Sequence, residues 1–276
     1  MHVAKQGVPE TGLRRVLGNL GGWFALAVRP RRIPAMRLVP LTARLAVGAL
    51  AAVVLVAIAM LAFDFRAMTF ARTLPLWVVD TFNEITDFGQ SGWFLIPIGA
   101  FIVLAAILTT QAAGRIGNLV IVSLIVRLEF VFLAIALPGL TVTIVKRLIG
   151  RVRPSDLGPF AYMPWSWQPA YASMPSGHAT TACAAAIAIG AVWRRARVPM
   201  WIFAAVIALS RVVITAHYVS DVIAAAFVGA FGAILVRNWF AARRLGFVAE
   251  PGGAVRALPG PSWHRLKAVA CRLIGP

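Results

Sequence analysis

Long apolar runs, separated by short polar segments, dominate the chain from residue 43 onward. About 20 residues of apolar helix are needed to cross the roughly 30 Å hydrocarbon core of a membrane. Runs of about this length lie near residues 43–63, 93–110, 119–143, 177–193, 199–216 and 219–239. The pattern therefore predicts an all-α fold, a polytopic membrane helical bundle of about six transmembrane helices. In the last run the four-residue spacing of Ala225, Gly229 and Ala233 predicts a close-packed helix face.

The predicted spans divide the chain into three parts. Residues 1–42 form a basic cytoplasmic segment, residues 43–240 contain the six spans, and residues 241–276 form a basic cytoplasmic tail. In the tail, apolar residues recur at helical spacing over 262–274 and predict an amphipathic helix on the membrane surface. For residues 16–28 two interpretations stay open, a helix on the membrane surface and a disordered tail.

Two charged residues, Arg127 and Glu129, interrupt the third apolar run. One interpretation is an ion pair buried in the bilayer, which is costly and usually functional. The other places Arg127 at the inner membrane interface, because Lys146 lies about 28 Å farther along the same helix and marks the outer surface. We favour the interface.

Composition agrees with a membrane protein. Of the 276 residues, 60% are hydrophobic and 13% are charged, whereas about a quarter of the residues in a soluble domain are charged. The net charge of +18 does not indicate nucleic-acid binding, because the basic residues lie between the apolar runs and at the chain ends. Cys183 lies in an apolar run and Cys271 in the tail, so no disulfide between them is expected.

The distribution of basic residues predicts the orientation of the chain. Six spans place both termini on one side of the membrane. Seven of the 27 Lys and Arg residues fall on the other side, namely Arg66, Arg72, Lys146, Arg147, Arg151, Arg153 and Arg211. Because cytoplasmic segments contain the excess of basic residues, we expect a multi-pass protein of the bacterial inner membrane, with its termini in the cytoplasm and the seven basic residues facing the periplasm.

Polar residues that a membrane span would normally avoid cluster in three blocks. They are Lys146 with Arg153-Pro154, then Pro175-Ser176-Gly177-His178, then Ser210-Arg211 with His217 and Asp221. In the six-span arrangement all three blocks lie at the outer ends of spans three to six. The blocks therefore predict one polar site on the periplasmic side.

The cations of these blocks indicate an anion. Lys146, Arg153 and Arg211 would repel one another in a small site unless a negative charge lay between them. The planar guanidinium group of arginine matches the geometry of phosphate oxygens. Ser176 and Gly177 open a predicted helix, whose free N–H groups also bind anions. The pattern indicates a phosphate-binding site.

The histidines of the blocks indicate covalent chemistry. His217 and Asp221 are four residues apart and are predicted to share one helix face, where the carboxylate would fix the imidazole tautomer and prepare a nucleophile. His178, on another helix, can act as general acid on the leaving group. Two histidines and an aspartate could instead bind Zn²⁺, but three neighbouring cations would repel a divalent ion.

Together the blocks resemble the signature of the type-2 phosphatidic acid phosphatase superfamily, which includes bacterial acid phosphatases and vanadium haloperoxidases. The matching positions are Lys146, Arg153, Pro154, Pro175, Ser176, Gly177, His178, Ser210, Arg211, His217 and Asp221. The resemblance implies a helical bundle over residues 43–240, a phosphohistidine on His217, and protonation of the leaving alkoxide by His178. It also implies that the phosphoryl oxygens are bound by Lys146, Arg153, Ser176, Gly177 and Arg211. Members need no metal, so neither a metal nor another cofactor is expected.

The substrate is less sharply defined. Residues 155–174 include five aromatic side chains, Phe160, Tyr162, Trp165, Trp167 and Tyr171, as in an interfacial aromatic belt. Such a site suits a lipid head group, so we predict a lipid phosphate phosphatase without an obligate protein partner. Candidate substrates are undecaprenyl diphosphate, phosphatidylglycerol phosphate, phosphatidic acid and lipid A phosphates. The alternatives are a lipid phosphotransferase with the same intermediate and a non-catalytic lipid-phosphate transporter.

Overall fold

The computed structural model describes residues 12–31, 39–110, 114–154, 157–250 and 254–274. These residues form ten α-helices: α1 (Gly12–Val28), α2 (Val39–Ala62), α3 (Asp64–Ala71), α4 (Leu76–Thr86), α5 (Gly92–Leu108), α6 (Gly114–Ile149), α7 (Gly177–Val192), α8 (Arg197–Val213), α9 (Val219–Ala242) and α10 (Trp263–Ile274). Two short strands, β1 (Phe247–Ala249) and β2 (Val255–Ala257), pair antiparallel after α9. The predicted all-α polytopic fold is confirmed.

The described helices include four candidate membrane spans and a fifth candidate that is bent. Leu76–Leu108, Gly114–Ile149, Arg194–Val213 and Val219–Ala242 are each long and apolar enough to cross a bilayer. Ala46–Ala62 and Asp64–Ala71 form the fifth if they are taken together, although they meet at an angle of 54°. The remaining span predicted from sequence, at residues 177–193, corresponds to α7. This helix is apolar, but its 16 residues reach only about 24 Å, less than the hydrocarbon core.

Helix α6 ends where a glycine is required. Gly150 follows the helix with a φ of +62°, and a Cβ atom there would lie 1.8 Å from the carbonyl oxygen of Met163. Only glycine adopts this conformation without a steric penalty. The chain then folds back over the end of the bundle, held by a bond from Val152 N to Ala161 O. This turn places residues 151–154 beside the first turns of α7 and α9.

The core of the bundle is built around α7, which packs against α6, α8 and α9. Its alanines are almost completely buried, and they allow the neighbouring helices to approach closely. A Cβ atom at Gly229 of α9 would lie 2.4 Å from the carbonyl oxygen of Thr180 in α7. Ala225 and Ala233, on the same face of α9, are fully buried. The predicted close-packed face is therefore confirmed.

Two terminal segments lie against the end of the bundle where α6 begins. Helix α1 is not a free tail, because Trp23 is buried against α5 and α6, and Asn19 donates a hydrogen bond to the carbonyl of Thr109 at 3.1 Å. Helix α10 occupies the tail segment for which the sequence predicts a helix, and its Val269 packs against the same apolar cluster as Trp23.

Arg127 contacts the tail instead of Glu129. Its guanidinium group donates to the carbonyl oxygens of Leu258 and Pro259, both at 3.0 Å, and to Ser123 one turn earlier. Among the described residues no ion pair joins Arg127 to Glu129. The buried ion pair considered from sequence is therefore absent from the described part of the chain, and contact with polar tail carbonyls agrees with the interface alternative.

Candidate active site

The three polar blocks meet at one end of the bundle. Lys146 lies in the last turn of α6, Gly177 and His178 in the first turn of α7, Arg211 in the last turn of α8, and Asp221 in the first turn of α9. The charge of His178 interacts with those of Arg153, Arg211 and His217, and that of Lys146 interacts with Arg153. The structure thus brings together the site residues named from sequence.

His217 does not lie on a helix, so the prediction that it shares a helix face with Asp221 is wrong. It lies in the short loop between α8 and α9, because Thr215 takes a left-handed φ of +52° and α9 begins only at Val219. The backbone N–H of His217 donates to the carbonyl of Arg211 at 3.1 Å. The Nδ1 atom of His217 still lies 3.8 Å from Asp221 Oδ2. The loop therefore still places His217 beside Asp221, although the distance between the two atoms is longer than a hydrogen bond.

The surroundings of His217 favour a neutral imidazole. Burial lowers the pKa of His217, and the positive charges of Arg211 and Arg153 lower it further, whereas Asp221 opposes this shift in part. A neutral imidazole has a free nitrogen lone pair. Since Asp221 faces Nδ1, Nε2 is the nitrogen that can meet a substrate.

Several donors of the site lack an acceptor within the described residues. Arg211 is buried and donates from Nη1 to Thr86 Oγ1 at 2.8 Å, but its Nε has no partner. The hydroxyl of Ser176, directly before α7, is buried and also without a partner. Arg153 donates to the carbonyl of Pro169 at 3.1 Å. Buried donors are costly when unsatisfied, so these groups fit a bound anion such as phosphate.

A turn that the sequence did not single out packs against His178. Gly89 lies so close that a Cβ atom there would be 3.2 Å from Cβ and Cδ2 of His178 and 2.6 Å from Cγ2 of Ile207. The negative charge of Asp87, in the same turn, acts on His178. A cavity of about 490 Å³ between α5, α6 and α7 reaches His178 and is otherwise lined largely by apolar and glycine residues.

A buried arginine behind the histidines was also missed. Arg151 is fully buried and donates from Nη1 to Asp221 Oδ1 at 2.6 Å and from Nη2 to Asp64 Oδ2 at 2.7 Å. It donates further to Ser220 Oγ at 2.7 Å and stacks 4.4 Å from the ring centre of Tyr218. Burial lowers the pKa of Arg151, but Asp221 and Asp64 raise it above its ordinary value. Arg151 therefore stays charged between two carboxylates.

The same network fixes Asp221. Its Oδ2 atom accepts hydrogen bonds from Ser173 Oγ at 2.5 Å and from the backbone N–H of Tyr218 at 3.0 Å. Asp64 accepts from the N–H of Ser220 at 2.9 Å and from its hydroxyl at 2.5 Å. With every carboxylate oxygen bonded, neither acid can reorient freely. The sequence signal for Asp64 is an acid at the end of an apolar run, which by itself does not identify a partner.

These acids are not arranged as metal ligands. Within the described residues no group of three or more His, Cys, Asp and Glu side chains is placed to hold a metal ion. Asp64, the second carboxylate near the site, is bonded to Arg151 and Ser220.

The sequence of the chain matches a protein family and two rhizobial relatives. Residues 128–245 match the family model of the PAP2 superfamily. A lipid A 1-phosphatase of Rhizobium etli is 34% identical over 204 residues, which span 72% of this chain and 86% of the relative. A lipid A 1-phosphatase of Rhizobium johnstonii is 34% identical over 203 residues, 72% of this chain and 82% of the relative.

One solved structure also aligns with the chain. It is a transmembrane PAP2 type phosphatidylglycerolphosphate phosphatase from Bacillus subtilis, with 18% identity, a TM-score of 0.45, and coverage of 82% of this chain and 95% of that chain. The extent and identity of the match to the rhizobial relatives, together with the family model, confirm the resemblance inferred from the three blocks. The chain belongs to the PAP2 superfamily.

Proposed function

We propose that this membrane-embedded lipid phosphate phosphatase removes the 1-phosphate of lipid A, without a metal ion, through a phosphohistidine on His217. The observation that supports the nucleophile best is the environment of His217. Its imidazole is buried, its Nδ1 faces Asp221 at 3.8 Å, and the guanidinium charges of Arg153 and Arg211 act on it. A neutral imidazole beside a phosphate-binding cluster suits attack on phosphorus.

The reaction proceeds in two displacements. First, the Nε2 lone pair of His217 attacks phosphorus, the bond from phosphorus to the lipid oxygen breaks, and His178 gives that oxygen a proton. Asp221 faces the Nδ1–H and stabilises the positive imidazole of the phosphohistidine. Then water attacks phosphorus, His178 takes the water proton, and the bond from phosphorus to Nε2 breaks. The products are a lipid hydroxyl and free phosphate, and both histidines return to their starting forms.

The phosphoryl oxygens are bound by the cations and donors around the histidines. Lys146, Arg153 and Arg211 offset the negative charge, and the unbonded Nε of Arg211 and hydroxyl of Ser176 each gain an acceptor. The free N–H groups at the start of α7, including that of Gly177, add to this cradle. These donors lie on α6, α7 and α8 or in the segments directly beside them and are in place before substrate arrives, so little reorganisation accompanies the reaction.

Two features support a substrate that lies in the membrane. The cavity beside His178 lies between α5, α6 and α7, where Leu95, Ile135 and Leu140 provide an apolar lining for a lipid. Trp165 and Trp167 in the segment above it are 74% and 81% exposed, as expected for side chains at a membrane interface. Among lipid phosphates, lipid A is supported by the rhizobial lipid A 1-phosphatases, which are 34% identical.

The proposed location is the bacterial inner membrane, with the site facing the periplasm. The support is the distribution of basic residues, most of which lie on the side of the termini. The Arg127 contact with the tail agrees with this orientation.

A phosphate-release assay tests the substrate and the reaction. Purified protein in detergent is given lipid A, undecaprenyl diphosphate, phosphatidylglycerol phosphate and phosphatidic acid in parallel. We expect lipid A to be turned over with the highest kcat/KM, to lose one phosphate per molecule, and to release it as free phosphate. Preference for another lipid would overturn lipid A as substrate. Transfer to a second lipid, without free phosphate, would replace hydrolysis with phosphotransfer.

A further inference from the structure

A second cluster of positive charge lies at the opposite end of the bundle from His217. It surrounds a cavity of about 450 Å³ between the ends of α7 and α9, the start of α8 and the β1–β2 hairpin. Four arginines from four segments line it, namely Arg194, Arg197, Arg237 and Arg256. Arg237 lies 16 residues after Asp221 in α9, which separates the cavity from the catalytic cluster by about 24 Å.

The positive charge in this cavity is not balanced by the described residues. Arg256 pairs with Glu250 at 3.0 Å, in an exposed contact. Arg194, Arg197 and Arg237 have no carboxylate partner and no hydrogen-bond acceptor within the described part of the chain. Arg197 and Arg237 also repel each other. A cluster of like charges around a cavity is stabilised when an anion occupies it.

Arg237 distinguishes this cluster from ordinary cytoplasmic basic residues. The positive-inside rule accounts for exposed arginines in loops, such as Arg194 and Arg195. Arg237 instead lies within α9, is half-buried, and has a buried Nε atom without an acceptor. Burial of an unsatisfied guanidinium donor costs free energy. Phosphate supplies several acceptor oxygens in the geometry that guanidinium groups match.

The remaining lining of the cavity is apolar. Ile187, Trp201, Phe247 and Val255 face the same space as the arginines, so a phosphate there would lie beside a hydrophobic wall. We propose that this cavity is a second, non-catalytic phosphate site, and that it binds the phosphate of an anionic membrane lipid or a free phosphate group. The arginines bind the phosphate, and the apolar wall favours a ligand with an acyl chain.

Lipid binding to full-length variants tests this site. Protein in neutral detergent is titrated with phosphatidylglycerol, and bound lipid is counted by native mass spectrometry. Arg237→Gln and Arg197→Gln should each raise the Kd about tenfold or more, because each removes a charge-assisted hydrogen bond. Arg195→Gln is the matched control, since it removes an exposed neighbouring charge that does not line the cavity. Lipid binding at the catalytic site is common to all variants, so the difference between them reports this cavity.

Competition with inorganic phosphate separates the two sources of ligand. A Kd for phosphatidylglycerol well below that for inorganic phosphate assigns the site to a lipid head group, whereas an equal or lower Kd for inorganic phosphate assigns it to free phosphate. Equal affinity in all four proteins, or an equal loss in all three variants, would overturn the proposal, because binding would then not depend on this cavity. Phosphatase activity should be retained in each variant and serves as the folding control. If Arg237→Gln does not fold, Arg197→Gln, at an exposed position, still decides the outcome.

Discussion

Arg151 donates a 2.6 Å hydrogen bond to Asp221, and both side chains are completely buried. Its second terminal nitrogen bonds Asp64 at 2.7 Å, so a single cation lies between two carboxylates. Asp221 in turn is the acid nearest to Nδ1 of His217. The positive charge of Arg151 therefore moderates the field that Asp221 exerts on His217, although Arg151 itself lies behind Asp221.

Loss of the Arg151 charge should change both stability and pH dependence. Removal of one partner from a buried ion pair costs about 3–5 kcal/mol, so Arg151→Gln should lower Tm. The unpaired Asp221 would also stabilise the protonated imidazole and raise the pKa of His217. Because the nucleophile must be neutral, the acid limb of the kcat/KM profile should then move to higher pH. Thermal unfolding and pH–rate profiles in detergent measure the two effects.

Two further variants test whether Arg151 acts on His217 through Asp221 or only stabilises the fold. Arg151→Lys keeps the charge but loses bonds, so it should fold and shift the acid limb less than Arg151→Gln. Arg66→Gln removes an exposed arginine from α3 and should change neither property. An unmoved acid limb in a folded Arg151→Gln protein would leave Arg151 with a structural role only.

Much of the site could be predicted from sequence because its chemistry is local. Each block combines residue types that a membrane span avoids, and the apolar runs place all blocks at span ends on one side. The N-cap position of Ser176 before α7 also follows from the Ser-Gly pair at the start of an apolar run. Spacing and hydropathy were therefore sufficient to predict the bundle and to predict that the histidines and cations of the three blocks lie together at one end of it.

The remainder depends on contacts between distant segments. Asp64 and Arg151 are 87 residues apart, and in the sequence Arg151 resembles any basic loop residue. Gly89 approaches His178 only because α4 and α8 bring its turn against α7. The left-handed backbone at Thr215 moves His217 off the helix, and a threonine gives no sequence signal for that conformation. Tertiary packing, rather than local pattern, decides these features.

The pH dependence should show an acid limb below the ordinary pKa of histidine. Burial and the charges of Arg211 and Arg153 lower the pKa of His217 from 6.5. On acidification the free enzyme therefore keeps its neutral nucleophile through pH 6.5 and loses it only below that value. We expect kcat/KM to fall on that acid side. Two substrates with different phosphate pKa values separate ionisation of the enzyme from ionisation of the substrate, because only the acid limb that belongs to the enzyme stays at the same pH with both. A midpoint at or above pH 6.5 with both substrates would contradict the prediction.

Gly89→Ala should displace the side chain of His178 and so impair its role as general acid, although His178 itself is unchanged. The new Cβ atom would lie 2.6 Å from Ile207 and 3.2 Å from His178, and such overpacking costs about 1–3 kcal/mol. A displaced His178 protonates the leaving group poorly, so turnover of a lipid monoester should fall more than that of an activated aryl ester. Gly99→Ala is the control, because its Cβ atom would make an ordinary 3.7 Å contact with Phe132 and the residue does not line the cavity beside His178. Equal activity of both variants would show that this turn does not position His178.

Cysteine labelling tests the proposed orientation. Leu157 and Arg195 are both exposed, at opposite ends of the bundle. In a Cys271→Ser background, an impermeant thiol reagent should modify Leu157→Cys in intact cells whose outer membrane is permeabilised. It should modify Arg195→Cys only after the inner membrane is opened. The reverse pattern would place the catalytic site in the cytoplasm.

The two histidines should fail in different ways when they are replaced. His217→Ala should reduce turnover of every substrate by about 10³-fold or more, because a covalent nucleophile has no substitute in the site. His178→Ala should slow cleavage of a lipid alkoxide far more than cleavage of an aryl ester whose leaving group needs no proton. Rapid-quench labelling with ³²P-substrate should trap acid-labile phosphate on His217 in the wild-type protein. More of it should accumulate in His178→Ala with the aryl ester, since His178 also activates the water.

Activity should survive EDTA, and vanadate should inhibit as a five-coordinate mimic of the transferred phosphoryl group. Loss of activity in EDTA with recovery on addition of Zn²⁺ or Mg²⁺ would replace the phosphohistidine route with metal-assisted hydrolysis, because the nucleophile would then be a metal-bound water.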